Sequence, residues 1–239
     1  MIGDAGHYVG PELSRRLAAC GHDLVLGDPT SELVVELEDT GASVEAVLDV
    51  RDLSKPESAP ALVQAALRRF GRLDAAVSFS GQIVTGRFTK STLDDLRTVV
   101  SGCLEGPYNF LRAVVDPMVE QGEGQVLLIT SASAARPTPG APLYSAARAG
   151  ATMLARNVAA EIARNGVQVN AVGTNFMDFP AFLAASGATD PAVRAKLEAQ
   201  VPLGRLGTME EFAAFCMPFI DGTSRFTTGQ FVAYAGGWA

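Results

Sequence analysis

Short apolar runs alternate with stretches of helical periodicity from one end of this chain to the other. Largely apolar runs at 24–26, 43–48, 75–79, 125–130, 167–172 and 230–233 predict strands, most of them buried on both faces. Between them, apolar residues recur at helical spacing near 10–20, 31–40, 57–70, 92–121, 142–165 and 208–220. Strands that alternate with helices predict an α/β fold: a Rossmann-like, doubly wound parallel sheet in three layers. The stretch 173–205 breaks the rhythm, carrying Phe176, Phe179, Pro180 and Phe182 just past a strand end. Ligands in such folds bind beyond the carboxyl ends of the strands, so this stretch is expected to be a lid over a pocket.

The first strand is expected to be short or incomplete. Only Met1 and Ile2 precede the loop Gly3–Gly10, whereas a central strand needs about five residues. Either the chain starts too late or the central strand is abnormally short.

Composition narrows the classes. The 239 residues suit one domain, 1–239, and the 48% apolar content can cover both faces of a buried sheet. A net charge of −7 without a Lys/Arg block argues against nucleic acid or an anionic membrane as partner. Cys20, Cys103 and Cys216 are widely spaced and match no zinc pattern, so no metal is expected, and a reducing, cytoplasmic setting is. No run is long and apolar enough to span a bilayer, and no secretory leader is evident. His7 and His22 read as surface residues, Cys103 as a small core residue, and Asp28 as a turn or helix-cap residue before Pro29-Thr30-Ser31.

Several segments resemble the short-chain dehydrogenase/reductase superfamily, and together they cover nearly the whole chain. Phe70-Gly71-Arg72-Leu73-Asp74 resembles that family's approach to its fourth strand. Glu161 to Asn170, Pro202 to Gly207 before Glu210-Glu211, and Thr228-Gly229-Gln230 resemble its later landmarks, in order. At the centre stand Ser131, just past a predicted strand, then Tyr144 thirteen residues on and Arg148 four further, the last two on one helix face. A dehydrogenase of the superfamily has Lys in the last place. A Ser–Tyr–Arg set is similar to that of the halohydrin dehalogenases.

The first loop points the same way. The superfamily's dehydrogenases carry Thr-Gly-x-x-x-Gly-x-Gly, whose small residues let the backbone approach a pyrophosphate. At that spacing this chain has Gly3, Asp4, Tyr8 and Gly10: a ring where a glycine is needed and a carboxylate where phosphates would lie. Cys103 replaces the superfamily's mid-helix Asn, and Ser78-Phe79-Ser80-Gly81 replaces Asn-Asn-Ala-Gly. Gly173-Thr174-Asn175-Phe176-Met177-Asp178-Phe179-Pro180 resembles the dehalogenases' halide-site loop; with Ile83-Val84-Thr85-Gly86 it most resembles their G-type members.

That resemblance implies conversion of vicinal haloalcohols to epoxides with release of halide, the reverse opening of epoxides by small anions, no cofactor, and a homotetramer. Tyr144 would be the base, Arg148 would favour its phenolate over a reference pKa of about 10, and Ser131 would hold the substrate oxygen. Tyr8, Thr174, Asn175, Phe176 and Met177 would form the halide and substrate pocket, through backbone N–H groups and ring edges. Two other readings stand beside it: an NAD(P)-dependent short-chain reductase with an atypical cofactor loop, and a non-catalytic binding protein.

Overall fold

The computed structural model describes residues 1–79, 81 and 83–239. Ser80, in the run after the 75–79 strand, therefore lies outside the described residues. The middle layer holds β1 (Leu24–Gly27), β2 (Val44–Val47), β3 (Ala75–Phe79), β4 (Gly124–Ser131), β5 (Val167–Thr174) and β6 (Phe231–Tyr234). β1 pairs with β2, and β3, β4, β5 and β6 lie side by side, every pairing parallel.

Ile2 joins the two groups by bridging Leu26 on one side and Val77 on the other. Its N–H donates to the Val25 carbonyl and that of Gly3 to the Val77 carbonyl, both at 2.9 Å. The short first strand expected at the sheet centre is thus one bridging residue, and the order across the sheet is β2–β1–Ile2–β3–β4–β5–β6.

Successive side chains of a strand point to opposite faces, so one strand feeds two cores. Val126 and Leu128 of β4 pack with Phe110, Val114 and Met118 on one face; Leu127 and Ile129 pack with Leu13, Leu17 and Phe212 on the other. Each large side chain so buried contributes about 1.5–3 kcal/mol.

The helices are α1 (Gly10–Ala19), α2 (Ser31–Asp39), α3 (Ser58–Phe70), α4 (Leu93–Val100), α5 (Gly106–Gln121), α6 (Pro142–Ile162), α7 (Pro180–Ser186), α8 (Pro191–Glu198) and α9 (Met209–Cys216). α1, α2 and α9 cover one face of the sheet; α3, α5 and α6 cover the other. Their ends follow local chemistry. Thr208 and Glu211 form a reciprocal capping box on α9, and Gly122 closes α5 with φ 80, a conformation open to glycine.

Two expectations change. The helix expected over 92–121 is interrupted by a π turn, Ser101–Glu105, where the Gly106 N–H reaches back to the Ser101 carbonyl. Pro107 follows at the start of α5; it has no N–H to give the preceding turn, which favours a break in the regular ladder there. The 173–205 stretch is also more ordered than a loop: β5 runs to Thr174, and α7 and α8 follow.

Candidate active site

A cavity of about 1220 Å³ opens at the carboxyl ends of β3, β4 and β5, and Ser131, Tyr144 and Arg148 all line it. Ser131 ends β4. Its Oγ accepts from the Ser133 N–H at 3.2 Å and from the Ser133 hydroxyl at 2.9 Å, while its own hydroxyl donates to the Thr174 carbonyl over a long 3.4 Å. Gly173 lets β5 come this close, since a Cβ there would lie 2.6 Å from the Ser131 carbonyl carbon. Tyr144 and Arg148 stand one turn apart on α6, both buried, with the guanidinium carbon 5.0 Å from the phenol ring centroid. Burial works against the Arg148 charge, but Tyr144 and Cys103 beside it outweigh that and hold its pKa above the usual value. Thr130 on β4 and Thr152 on α6 share a hydrogen bond of 3.2 Å, fixing helix against strand.

Tyr8 crosses the same cavity. Its φ is 51, a left-handed backbone unusual for a residue with a side chain. Its hydroxyl donates to Thr174 Oγ1 at 2.9 Å, and its ring meets Phe179 at 4.8 Å, Phe79 at 5.7 Å and Phe212 at 5.9 Å. Burial drives its pKa well above the ordinary tyrosine value, against the opposing effect of the Thr174 bond, so Tyr8 stays neutral. The loop depends on Gly10, where a Cβ would fall 2.3 Å from the Asp4 carbonyl oxygen. Asp4 is buried, and its carboxylate meets Arg51 Nε at 2.9 Å. Its pKa is raised by burial, with Arg51 pulling the other way.

These residues do not fit a dinucleotide as they stand. Tyr8 bridges the first loop to the end of β5, across the crevice that connects Asp4, Arg51 and Leu53 with Tyr144 and Arg148. Asp28, where a dehydrogenase would hold the adenosine ribose, spends its carboxylate on the Asp49 and Val50 N–H groups at 2.7 and 3.0 Å. Asp28 thus ties the end of β1 to the loop after β2 rather than closing a local turn, and Thr30 is the residue that caps α2.

Of the expected pocket residues, Tyr8, Thr174, Asn175 and Phe176 line the cavity, and Met177 does not. Met177 is 2% exposed and packs in the core, because its main chain pairs with Gly207 and turns the side chain inward. Tyr8, whose ring edges were expected to face a halide, meets Phe79 and Phe179 in T-shaped contacts. His7 is half-buried rather than a surface residue: it lines the cavity and sets its ring against Phe179. Three features escaped sequence reasoning. Ser133 fills the acceptor side of Ser131, Arg51 pairs with Asp4, and Trp238 lies against Phe176 at 6.1 Å. The spacing Ser131-x-Ser133 was a usable signal for the first; long-range contacts carry none for the others.

A family model described as enoyl-(acyl carrier protein) reductase matches residues 6–239. The 3β-hydroxysteroid dehydrogenase 1 of Eggerthella lenta is 28% identical, the match covering 95% of this chain and 91% of that protein. The 3-oxoacyl-(acyl-carrier-protein) reductase of Thermotoga maritima is 26% identical over 99% and 96%. Among solved structures, the gluconate 5-dehydrogenase of Burkholderia cenocepacia, in complex with NADP and tartrate, superposes with a TM-score of 0.87 at 24% identity, over 99% of this chain and 93% of that one. These findings overturn the expectation of a cofactor-free haloalcohol dehalogenase, a carbon–halide lyase. The matching relatives are oxidoreductases, and they back the reductase alternative. Among the described residues no helix is long and apolar enough to cross a membrane. With a parallel Rossmann-like sheet and a family match from residue 6 to residue 239, the chain belongs to the short-chain dehydrogenase/reductase superfamily.

Proposed function

We propose that the chain is an NAD(P)-dependent oxidoreductase that interconverts a carbonyl and an alcohol, with an atypical first loop. The observation behind it is the convergence of Ser131, Tyr144 and Arg148 on one cavity in a chain of this superfamily. In the reductive direction the Tyr144 hydroxyl gives its proton to the substrate oxygen. Ser131, its acceptor side filled by Ser133, turns its hydroxyl from the long bond to the Thr174 carbonyl and donates to that same oxygen. The Arg148 guanidinium carbon lies 5.0 Å from the ring centroid and sets a positive charge beside the phenol. A positioned acid of this kind contributes about 10²–10⁴-fold. Arginine keeps its own proton, so Tyr144 regains its proton from solvent rather than from Arg148. The chain thus supplies the proton-handling half of the reaction, and the nicotinamide half requires Tyr8 to turn aside.

The test is turnover of a panel of ketones and aldehydes by the purified chain with NADPH or NADH, followed by loss of reduced-nicotinamide absorbance. Saturable turnover that falls by a hundredfold or more in Tyr144→Phe supports the assignment. Wild-type and Tyr8→Gly proteins that both neither bind nucleotide nor turn over any carbonyl would reject it.

A further inference from the structure

The cavity that holds Tyr144 is walled by rings from one short stretch after β5 and from the first loop. Phe176 follows β5, Phe179 begins the next segment, Phe182 lies on α7, and Tyr8 comes from the first loop; all four line the cavity. They form a continuous series: Phe176 to Phe182 at 6.1 Å, Phe182 to Phe179 at 6.2 Å and stacked, and Phe179 to Tyr8 at 4.8 Å. Trp238 backs Phe176 at 6.1 Å. Arg136 in turn fixes Trp238, lying over its ring at 4.6 Å and donating to its carbonyl at 2.6 Å.

Two further facts show which way this wall faces. α7 has no fully buried residue, so Phe182 is not there to build the core; Phe176, Phe179 and Phe182 are all half-buried and line the cavity. The loop bearing Phe176 is held firmly: Gly207 donates its N–H to the Phe176 carbonyl, Asp178 donates its N–H to the Gly207 carbonyl, and Arg194 on α8 grips Asp178 and Glu198. The wall is therefore preorganised, which lowers the ordering cost of a ligand laid against it.

The charges in the cavity are committed elsewhere. Arg51 is paired with Asp4, Arg97 with Asp94, and Arg148 lies buried against the Tyr144 ring. A carboxylate or phosphate on the substrate would share these guanidinium groups with the chain's own carboxylates, whereas an apolar ring lies against the phenylalanines that line the cavity.

We infer that the Phe176–Phe182–Phe179 wall selects a ring-bearing carbonyl compound or its alcohol, aryl or alicyclic, over acyclic ones such as a small keto acid or a linear acyl thioester. The reacting group rests on the oxidoreductase reading above; the ring preference rests on the wall alone.

Binding tests it without turnover. The full-length chain is titrated with acetophenone, cyclohexyl methyl ketone, pyruvate and the acetoacetyl thioester of N-acetylcysteamine, by ligand-observed NMR. Emission of Trp238, the chain's one tryptophan, serves as a second readout for the non-absorbing ligands. Both ring ketones are expected to bind saturably and at least tenfold more tightly than pyruvate or the thioester. Phe176→Ala and Phe182→Ala should each weaken ring binding by about tenfold, the worth of one or two lost ring contacts. Phe182 sits on a helix without core residues, so its variant stays folded even if Phe176→Ala does not, as the thermal midpoint will show. Equal affinity for pyruvate or the thioester, no binding of either ring ketone, or unchanged ring affinity in folded Phe182→Ala overturns the inference. Ring ketones that bind but are never reduced leave the wall's selectivity standing and count against the oxidoreductase reading instead.

Discussion

Replacing Tyr8 with glycine addresses the one place where the site and its superfamily disagree. For a dinucleotide to run from the Asp4 end of the crevice to Tyr144, the phenol must leave its seat. It then loses the 2.9 Å bond to Thr174, worth about 1 kcal/mol, and its edge contacts with Phe179 and Phe79, worth about 0.5–1.5 kcal/mol each. Displacement therefore costs about 2–4 kcal/mol, which at about 1.4 kcal/mol per decade weakens nucleotide binding by about thirty- to a thousandfold. Tyr8→Gly removes that cost and suits the φ of 51, so its affinity for NADPH should rise by this factor. Tyr8→Phe keeps the ring and loses only the hydrogen bond, so its gain should be about fivefold. Calorimetric or fluorescence titration with NADPH at constant salt measures all three proteins. Affinities within threefold of one another for wild type and Tyr8→Gly would show that the ring does not obstruct the nucleotide, and would refute the steric reasoning.

Other consequences can be checked separately. Ser133→Ala removes one of two donors to Ser131 Oγ and frees that hydroxyl to rotate; kcat should fall about fivefold with KM little changed, and Ser133→Thr should retain most of it. Asp4 has its folded-state pKa raised by burial, so it favours folding most when protonated, and that contribution fades as pH climbs through the folded value. Asp4→Asn should thus raise the thermal midpoint at neutral pH and narrow its gap to wild type as pH falls through the carboxylate range; a constant gap would contradict the burial argument. Phe212, fully buried between α9 and the sheet, should cost about 3–5 kcal/mol when cut to alanine, read from the urea midpoint at constant slope.

Much of the fold was legible because buried parallel strands announce themselves as apolar runs. Ala75–Phe79 is a strand over the residues expected, and the other five match to within about two residues at each end. The break between α4 and α5 was missed because periodicity is insensitive to one extra residue, although Gly106-Pro107 in mid-helix was a visible warning. Ser131, Tyr144 and Arg148 meet in one cavity as their spacing implies, since a strand end and the following helix determine that geometry almost alone. Met177 and Trp238 were not readable: one is turned inward by pairing with Gly207, the other reaches Phe176 from 62 positions along the chain. The functional reading went astray where a few local marks, Arg148, Tyr8 and the Asn175-Phe176 loop, were weighed above the resemblance of the whole chain to oxidoreductases.

The π turn between α4 and α5 divides one rod between two duties. Ahead of it Val99, and within it Cys103, pack with Tyr144 and Ala147; beyond it, Phe110, Val114 and Met118 pack beneath the sheet. Shortening the wide turn by one residue would restore regular winding, but each residue turns the axis by about 100°. One of the two packing faces would then swing away from its partners. Circular dichroism would register an intact helix while Tyr144 lost the surface it leans on, so the turn's width serves the chemistry rather than the helix content.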